Sequence, residues 1–370
     1  MKTMRYGIIG CGMMGQEHLR NIALLGDAEV VAIHEPDAAM RAAAAALAPQ
    51  ARMAGSIADL LAIEAVNCLL IVSPNFVHLD QLEEIARIRP LPVLCEKPLF
   101  TDPGDGPRLA ALRAAYPAPI WVAMEYRYMP PVAHLLREAA AATGGVRMLT
   151  IREHRFPFLA KVGDWNRFNT KSGGTLVEKC CHFFDLMRLI AGCNPVRVMA
   201  SAGQAVNHLD EVYDGRTSDI WDNAYVIVEF ESGLRAMLEL CMFAEGARYQ
   251  EVISAIGPEG KIECLVPGPG RFWPAHLGAA PVPQVIVSPR DPKGPVMLET
   301  PVDPAILAAG DHNGSTFYQH QGFVRAAAGL QSPEVSLTDG WWAVAIGMAA
   351  QRSALTGQAV VLAQQPFCPR

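Results

Sequence analysis

Charge is scarce in this 370-residue chain: 18% of residues are charged against 51% apolar. No run of lysine or arginine appears, and the net charge is −6. Nothing therefore attracts a phosphate backbone, and no nucleic-acid partner is expected. Apolar runs such as Val66 to Val72 are too short to cross a bilayer, so no membrane association is expected either. Met1 to Ile9 passes straight into a short apolar strand without a longer apolar segment or a cleavage site, which predicts no secretory signal. The nine cysteines lack metal-ligand spacing. They read as reduced thiols of a cytoplasmic protein that holds no metal. No internal repeat is present. What the chain does have is core material, enough at this length for two domains and too much for disorder.

The first third alternates strand and helix signals. Tyr6 to Ile9 is a short apolar run, followed by glycines and a helical pattern from Met13 to Leu25 that Gly26 stops. Strands are expected over Glu29 to His34, Val66 to Ser73, Val93 to Glu96 and Ile120 to Met124. Helices are expected over Asp37 to Leu47, Ile57 to Ile63, His78 to Ile88 and Gly106 to Tyr116. Parallel neighbours require such crossovers, so this part predicts an α/β, doubly wound Rossmann domain over residues 1–128.

After Pro130 and Pro131 the pattern changes. Val146 to His154, Arg197 to Gly203, Ala224 to Glu231, Leu234 to Met242, Gln250 to Ile256 and Lys261 to Val266 read as strands separated by turns. One helix interrupts them, from about Gly174 to Ile190, and two more end the chain, near Phe317 to Ala328 and Gly340 to Leu355. Gly268 to Pro304, rich in proline and glycine, reads as a surface excursion. Residues 129–370 are thus expected to form an α+β domain on a large, mainly antiparallel open sheet.

Gly10-Cys11-Gly12-Met13-Met14-Gly15 matches G-x-G-x-x-G directly after the first strand and at the start of a helix. Gly10 allows the tight turn, Gly12 lets a pyrophosphate approach the backbone, and Gly15 brings helix against strand. The helix start, with Met13 and Met14, offers free N–H groups to the phosphates. Glu35, twenty positions after Gly15, can accept the adenosine ribose hydroxyls and would repel a 2′-phosphate, so NAD is favoured over NADP. Asp37 is a rival for that role, and Arg41 could offset part of the repulsion.

Ser73-Pro74-Asn75-Phe76-Val77-His78 and Cys95-Glu96-Lys97-Pro98 follow the next two strands. Together with the glycine loop, Tyr126-Arg127-Tyr128, the segment Gly173 to Asp185, and the end of the chain from Phe323 to Ser353, they resemble the glucose-fructose oxidoreductase, inositol dehydrogenase and rhizopine catabolism (Gfo/Idh/MocA) family. The resemblance covers nearly the whole chain. It implies that Lys97 contacts nicotinamide and substrate, that Pro98 follows a cis bond, and that Asn75 and Glu96 border the nicotinamide ribose, with Ser73 and His78 in the same cofactor-binding segments. It also implies a homodimer or homotetramer, for which apolar strand positions such as Val226, Val228 and Leu238 are available. An ammonium at Lys97 would stabilise the alkoxide that precedes hydride transfer.

Glu178 and His182 are four apart, on one face of a continuous helix, with Asp185 one turn on. A carboxylate beside an imidazole raises its basicity, which makes His182 the candidate base and Glu178 its partner or a substrate acceptor. Asp185 reads as a structural acceptor, and Cys180 and Cys181 as packing residues. The family pattern has Asp and Gly where this chain has Glu178 and Cys180, and Lys179 is unusual there. Substrate contacts are expected from Tyr126, Arg155, Trp165, Arg167, Lys179, His312 and Tyr318, with His154, Asn169, Lys171 and His320 as further candidates. Mixed charges and aromatic faces suit a small polyhydroxylated substrate. The leading expectation is NAD-dependent oxidation or reduction of a secondary alcohol on a sugar, sugar derivative or cyclitol. Redox-neutral glycoside cleavage through a transient keto-sugar is the alternative. A catalytically silent NAD-sensing regulator is a third, disfavoured because Lys97 and His182 are both present.

Overall fold

The computed structural model of the chain describes residues 3–365, 368 and 369. β1 (Met4–Ile9), β2 (Ala28–His34), β3 (Arg52–Met53), β4 (Cys68–Ile71), β5 (Val93–Cys95) and β6 (Ile120–Val122) form a wholly parallel sheet in the order β3-β2-β1-β4-β5-β6. The crossovers α1 (Met13–Ile22), α2 (Ala38–Leu47), α3 (Ile57–Leu61), α4 (His78–Ile88) and α5 (Gly106–Ala115) connect the strands. With both faces packed, β4, β5 and β6 are buried throughout, which is why they read as unbroken apolar runs. This is the doubly wound order that gathers ligands outside the carboxyl ends of the strands.

The rest of the chain is an α+β layer. It comprises α6 (Pro130–Thr143), β7 (Met148–His154), α7 (Asn169–Ser172), α8 (Thr175–Glu178), α9 (Cys181–Ala191), β8 (Pro195–Gly203), β9 (Val212–Tyr213), β10 (Arg216–Thr217), β11 (Asn223–Phe230), β12 (Arg235–Cys241), β13 (Glu251–Ile256), β14 (Gly260–Val266), β15 (Gln284–Pro289), β16 (Val296–Glu299), α10 (Pro304–Ala308), α11 (Ser315–Ala327), α12 (Leu337–Thr356) and β17 (Val360–Val361). Nine strands make one open sheet, β16-β15-β14-β13-β7-β12-β11-β8-β17, in which β7 and β12 are parallel and every other pairing is antiparallel. α6 packs beneath β14 and β15, while α12 packs on β8 and α9 and reaches β6, joining the two layers. α12 also packs on α8, and Gly347 allows that approach, because a Cβ there would lie 2.5 Å from the Leu176 carbonyl oxygen.

Several expectations need correction. Pro130 and Pro131 do not merely mark a change of pattern: they occupy the first turn of α6, where a missing N–H is harmless. The stretch Gly268 to Pro304 is not just an excursion: β15 and β16 extend the large sheet. α1 stops at Ile22 rather than Leu25. The helix expected over Gly174 to Ile190 is broken into α8 and α9 at Lys179 and Cys180. Val226, Val228 and Leu238 are fully buried against the helices, whereas Tyr225 (59% exposed) and Ile227 (40%) project from the open face. A shift of one residue along a strand exchanges the two faces. The nine cysteines are free thiols. No helix among the described residues is long and apolar enough to cross a membrane.

Candidate active site

The carboxyl ends of β1, β2, β4 and β5 open onto a crevice of about 730 Å³. Gly10 sits at its base with φ +88°, and a Cβ there would lie 2.7 Å from the backbone of Ser73. A Cβ on Gly15 would meet the Gly10 carbonyl oxygen at 2.9 Å, so helix and strand touch at that point. Gly12 differs: beyond its neighbours in the chain, no described residue lies within 4 Å of a Cβ built there. The space it keeps open faces the crevice, and α1 begins there with no capping side chain and no acid in its first turn. Its orphan N–H groups, beside Met13 and Met14, are left for an anion, so the loop fits a dinucleotide pyrophosphate.

Glu35 lines the crevice and is nearly buried. Its carboxylate accepts from the Cys11 N–H at 2.5 Å and the Asp37 N–H at 2.8 Å, bracing the glycine loop. Each oxygen retains a second acceptor position for a ribose hydroxyl. Asp37 instead caps α2 through the Met40 N–H at 2.9 Å, and Arg41 donates to the Glu35 carbonyl at 3.1 Å. Ser73 donates to Gln81 at 2.6 Å, and Asn75 reaches across to the Ser172 carbonyl at 3.1 Å. His78 contacts the Ser73 carbonyl at 2.9 Å and the Pro98 carbonyl at 2.8 Å, tying two crevice segments together. The Lys97–Pro98 bond is cis. Trp165, expected among substrate contacts, stands in this crevice, edge-on to Phe76 and beneath the Lys161 ammonium at 4.5 Å.

A smaller cavity of about 130 Å³ adjoins the crevice and shares Met13, Met14, Glu96, Lys97 and Lys161 with it. Lys97 donates to the Glu178 carbonyl at 3.2 Å. Burial works against its charge, but Cys181 and the carboxylates of Glu96, Glu178 and Glu125 outweigh that and hold its pKa above the ordinary lysine value. His182 is 3% exposed and lies flat on Tyr126, ring centres 4.1 Å apart. Burial, with Lys97, Lys179, His312 and Arg155 around it, holds the imidazole well below its usual pKa, so it is neutral. The expected effect of Glu178 on His182 is thereby corrected: burial and then the surrounding cations, not a carboxylate, set its basicity. Glu178 turns instead to Lys161 at 3.4 Å, and its Oε2 is buried with no hydrogen-bond partner among the described residues.

Lys179 lies between Glu153, at 2.8 Å, and the Tyr126 hydroxyl. Burial lowers its pKa despite Glu153 and Glu251. Arg155 lines the cavity over the Phe156 ring, with Glu153 3.7 Å away. His312 bonds Glu17 at 2.8 Å and lies 3.8 Å from Glu125. Burial opposes its charge, but the two carboxylates push it up to about 9. Asp185 accepts two bonds from Arg127, at 2.6 and 2.5 Å, as a structural acceptor would.

Other candidates lie apart. Arg167 pairs with Glu211 at 2.9 Å, His154 with Glu239 at 2.8 Å, and the Asn169 N–H with Asp219 at 2.7 Å. Tyr318 and Lys171 line neither cavity. His320 is fully buried behind the crevice. Sequence reasoning missed Glu17, Glu125, Glu153, Lys161 and Glu251. A signal existed for two of them. Glu153 and Glu251 share the buried phase of their strands with Leu149, Ile151, Ile253 and Ala255, and they oppose each other across the ladder. An acid in the apolar phase marks a buried polar site.

Residues 4–124 match the model for the oxidoreductase family, NAD-binding Rossmann fold, and residues 142–362 match that for the oxidoreductase family, C-terminal alpha/beta domain. Inositol 2-dehydrogenase of Corynebacterium glutamicum (strain R) is 29% identical over 279 residues, covering 74% of this chain and 77% of that enzyme. An oxidoreductase domain protein from Kribbella flavida has the same fold, with TM-score 0.80 at 21% identity over 98% of this chain and 100% of that one. So does levoglucosan dehydrogenase in complex with NADH and levoglucosan, with TM-score 0.78 at 20% identity over 98% and 100% of the two chains. With both halves matched, the chain belongs to the glucose-fructose oxidoreductase, inositol dehydrogenase and rhizopine catabolism family, and is an oxidoreductase carrying that family's NAD-binding Rossmann domain.

Proposed function

We propose that the protein oxidises or reduces a secondary alcohol of a sugar, sugar derivative or cyclitol. One observation carries this reading: Lys97 and His182 line one cavity, and Lys97 also lines the dinucleotide crevice. NAD, when bound, supplies the hydride acceptor or donor. Lys97, kept as an ammonium by the carboxylates around it, stabilises the alkoxide oxygen as the proton leaves. His182, kept neutral by burial and neighbouring cations, takes that proton and returns it in the reductive direction. Glu178 holds Lys97 through its carbonyl and offers its free Oε2 to a second hydroxyl. Tyr126, Arg155, Lys179 and His312 supply a ring face and donors suited to a polyol. The names of relatives, inositol 2-dehydrogenase and levoglucosan dehydrogenase, support a compact polyhydroxylated substrate. Glu35 favours NAD over NADP by repelling a 2′-phosphate.

The division into residues 1–128 for the dinucleotide and 129–370 for substrate and assembly remains part of this reading. So does a homodimer or homotetramer packed through the open sheet face that carries Tyr225 and Ile227. Nine free thiols support a reducing, cytoplasmic setting.

The test is a screen of sugars, inositols and glycosides with NAD⁺ and NADP⁺, following reduced-cofactor absorbance and product mass. On the substrate so found, Lys97→Ala and His182→Ala lower turnover by about two orders of magnitude or more while NAD affinity stays nearly unchanged. Full activity in either variant refutes the roles. A second reading is favoured by Glu251, a cavity carboxyl that burial and Glu153 push up to about 7. Such an acid is surplus to dehydrogenation and suited to protonating a leaving group after transient oxidation. Aglycone release without net NADH separates this outcome from the first.

A further inference from the structure

Behind the crevice, four side chains form an unbroken line of hydrogen bonds. The Tyr6 hydroxyl lies 3.1 Å from His320 Nδ1, His320 Nε2 lies 2.8 Å from His18 Nδ1, and His18 Nε2 lies 3.1 Å from Glu96 Oε1. Tyr6, His18 and His320 are fully buried. They come from β1, α1 and α11, so residues 314 apart in sequence meet directly.

The chemistry of the ends fixes every proton. An ionised Glu96 can only accept, so His18 donates from Nε2 and a neutral ring presents a bare Nδ1. That nitrogen accepts from His320 Nε2–H, whose own bare Nδ1 accepts from the Tyr6 hydroxyl. Turning the line round would leave the Tyr6 hydrogen aimed at no acceptor among the described residues, a costly state for a buried group. The far end, the Tyr6 hydroxyl, is fully buried between β1 and α11. The line therefore delivers no proton to solvent and acts as a brace.

We propose that Tyr6, His320 and His18 form a positioning relay that holds the Glu96 carboxylate in one orientation, one oxygen on His18 and the other on the Lys97 amide, and so fixes the negative charge that sets Lys97 for the reaction. This rests on the role of Lys97 proposed above. Glu96 lines both cavities, and its Oε2 accepts from the Lys97 N–H at 3.2 Å. Burial pushes Glu96 up, yet the hydrogen bond from His18, with Lys97 and His78, holds it below the ordinary glutamate value. Burial keeps His320 well below its usual value and keeps the Tyr6 hydroxyl protonated. The other titratable groups around Glu96 are Cys95 and Lys97 beside it, His78 from α4, Glu125 beyond β6, Lys161, and Cys181 from α9. Of the groups facing Glu96, His18 is the one whose tautomer the relay sets.

Two arms test this on the full-length protein. In the first, ¹⁵N-histidine NMR of the wild type at neutral pH should show His18 and His320 as neutral Nε2–H tautomers. An Nδ1–H tautomer or an imidazolium at either ring overturns the relay. In the second, His320→Leu should lower kcat about tenfold, the scale of losing an orienting outer partner, with the NAD⁺ KM within about twofold. With His18 no longer oriented, burial dominates Glu96, so the acid limb of the kcat profile moves to higher pH. His320→Gln, which offers both an amide donor and an acceptor, should restore most of the rate and the limb. In a Glu96→Gln background, His320→Leu should cost nothing further. Additive losses, or an unmoved acid limb, mean that His320 is merely structural and refute the proposal. Were the wild type to turn over no polyol at all, the function would fall and the tautomer arm would alone decide the relay.

Discussion

Glu251 gives the sharpest test of how the cavity is held together. It is 2% exposed and sits opposite Glu153 in the β13–β7 ladder. Burial, and then the charge of Glu153, raise its pKa from the ordinary 4.5 to about 7, against the opposing pull of Lys179. In the unfolded chain the group titrates near its ordinary value. Between those two pH values the folded protein holds a proton that the unfolded chain has released. Stability therefore falls as pH rises through this window, and the loss is complete above about 7. At 1.36 kcal/mol for each pKa unit, the loss amounts to about 3 kcal/mol. Glu251→Gln keeps the shape and removes the ionisation. Urea unfolding followed by tryptophan fluorescence between pH 4.5 and 8.5 should show the wild type losing about 3 kcal/mol more than the variant across that range. Parallel curves for the two proteins would refute the assignment of a proton to Glu251.

Three more outcomes follow from the same geometry. Gly10→Ala forces a side chain onto a left-handed backbone 2.7 Å from Ser73, so it should lower the melting temperature and abolish NAD binding together. Gly12→Ala meets no described residue within 4 Å beyond its neighbours in the chain. It should leave stability within about 0.5 kcal/mol and still weaken NAD binding, measured by titration calorimetry, about tenfold or more; equal effects at the two glycines would contradict the loop's assignment. Lys179→Met strands Glu153, whose side chain is 0% exposed, and should destabilise by about 3–5 kcal/mol in urea unfolding. Adding Glu153→Gln should recover most of that loss, and no recovery would mean that the ion pair is not what Lys179 supplies.

The legible parts of the site are those written in consecutive residues. Gly10, Gly12 and Gly15 act through the backbone of one turn, and their spacing after β1 marks the loop whatever surrounds it. Lys97 comes two residues after β5, and His182 lies in the first turn of α9, in the segment that begins at the Gly173–Gly174 pair. Arg167 and Tyr318 misled because a polar residue in a loop looks the same whether it faces a cavity or, like Arg167, a neighbouring carboxylate. The helix break at Lys179 and Cys180 was hidden because both flanking segments carry helical patterns. The break falls just after α8 packs against α12 at Gly347, a long-range contact that no local pattern encodes.

The amino-acid order by itself determined the strand and helix alternation, the glycine loop, the acid at the end of β2 and the two layers, because each depends on short-range periodicity or backbone sterics. The tertiary structure alone decided which groups share a cavity and in what protonation state. His182 is neutral because burial and cations from β5, β7, the α8–α9 turn and the segment before α11 converge on it. Glu96 is held below the ordinary glutamate value because the His18 hydrogen bond from α1, with Lys97 and with His78 from α4, outweighs its burial. Electrostatic energy depends on distance in space and on the exclusion of water, and neither is encoded in the spacing of letters along a chain.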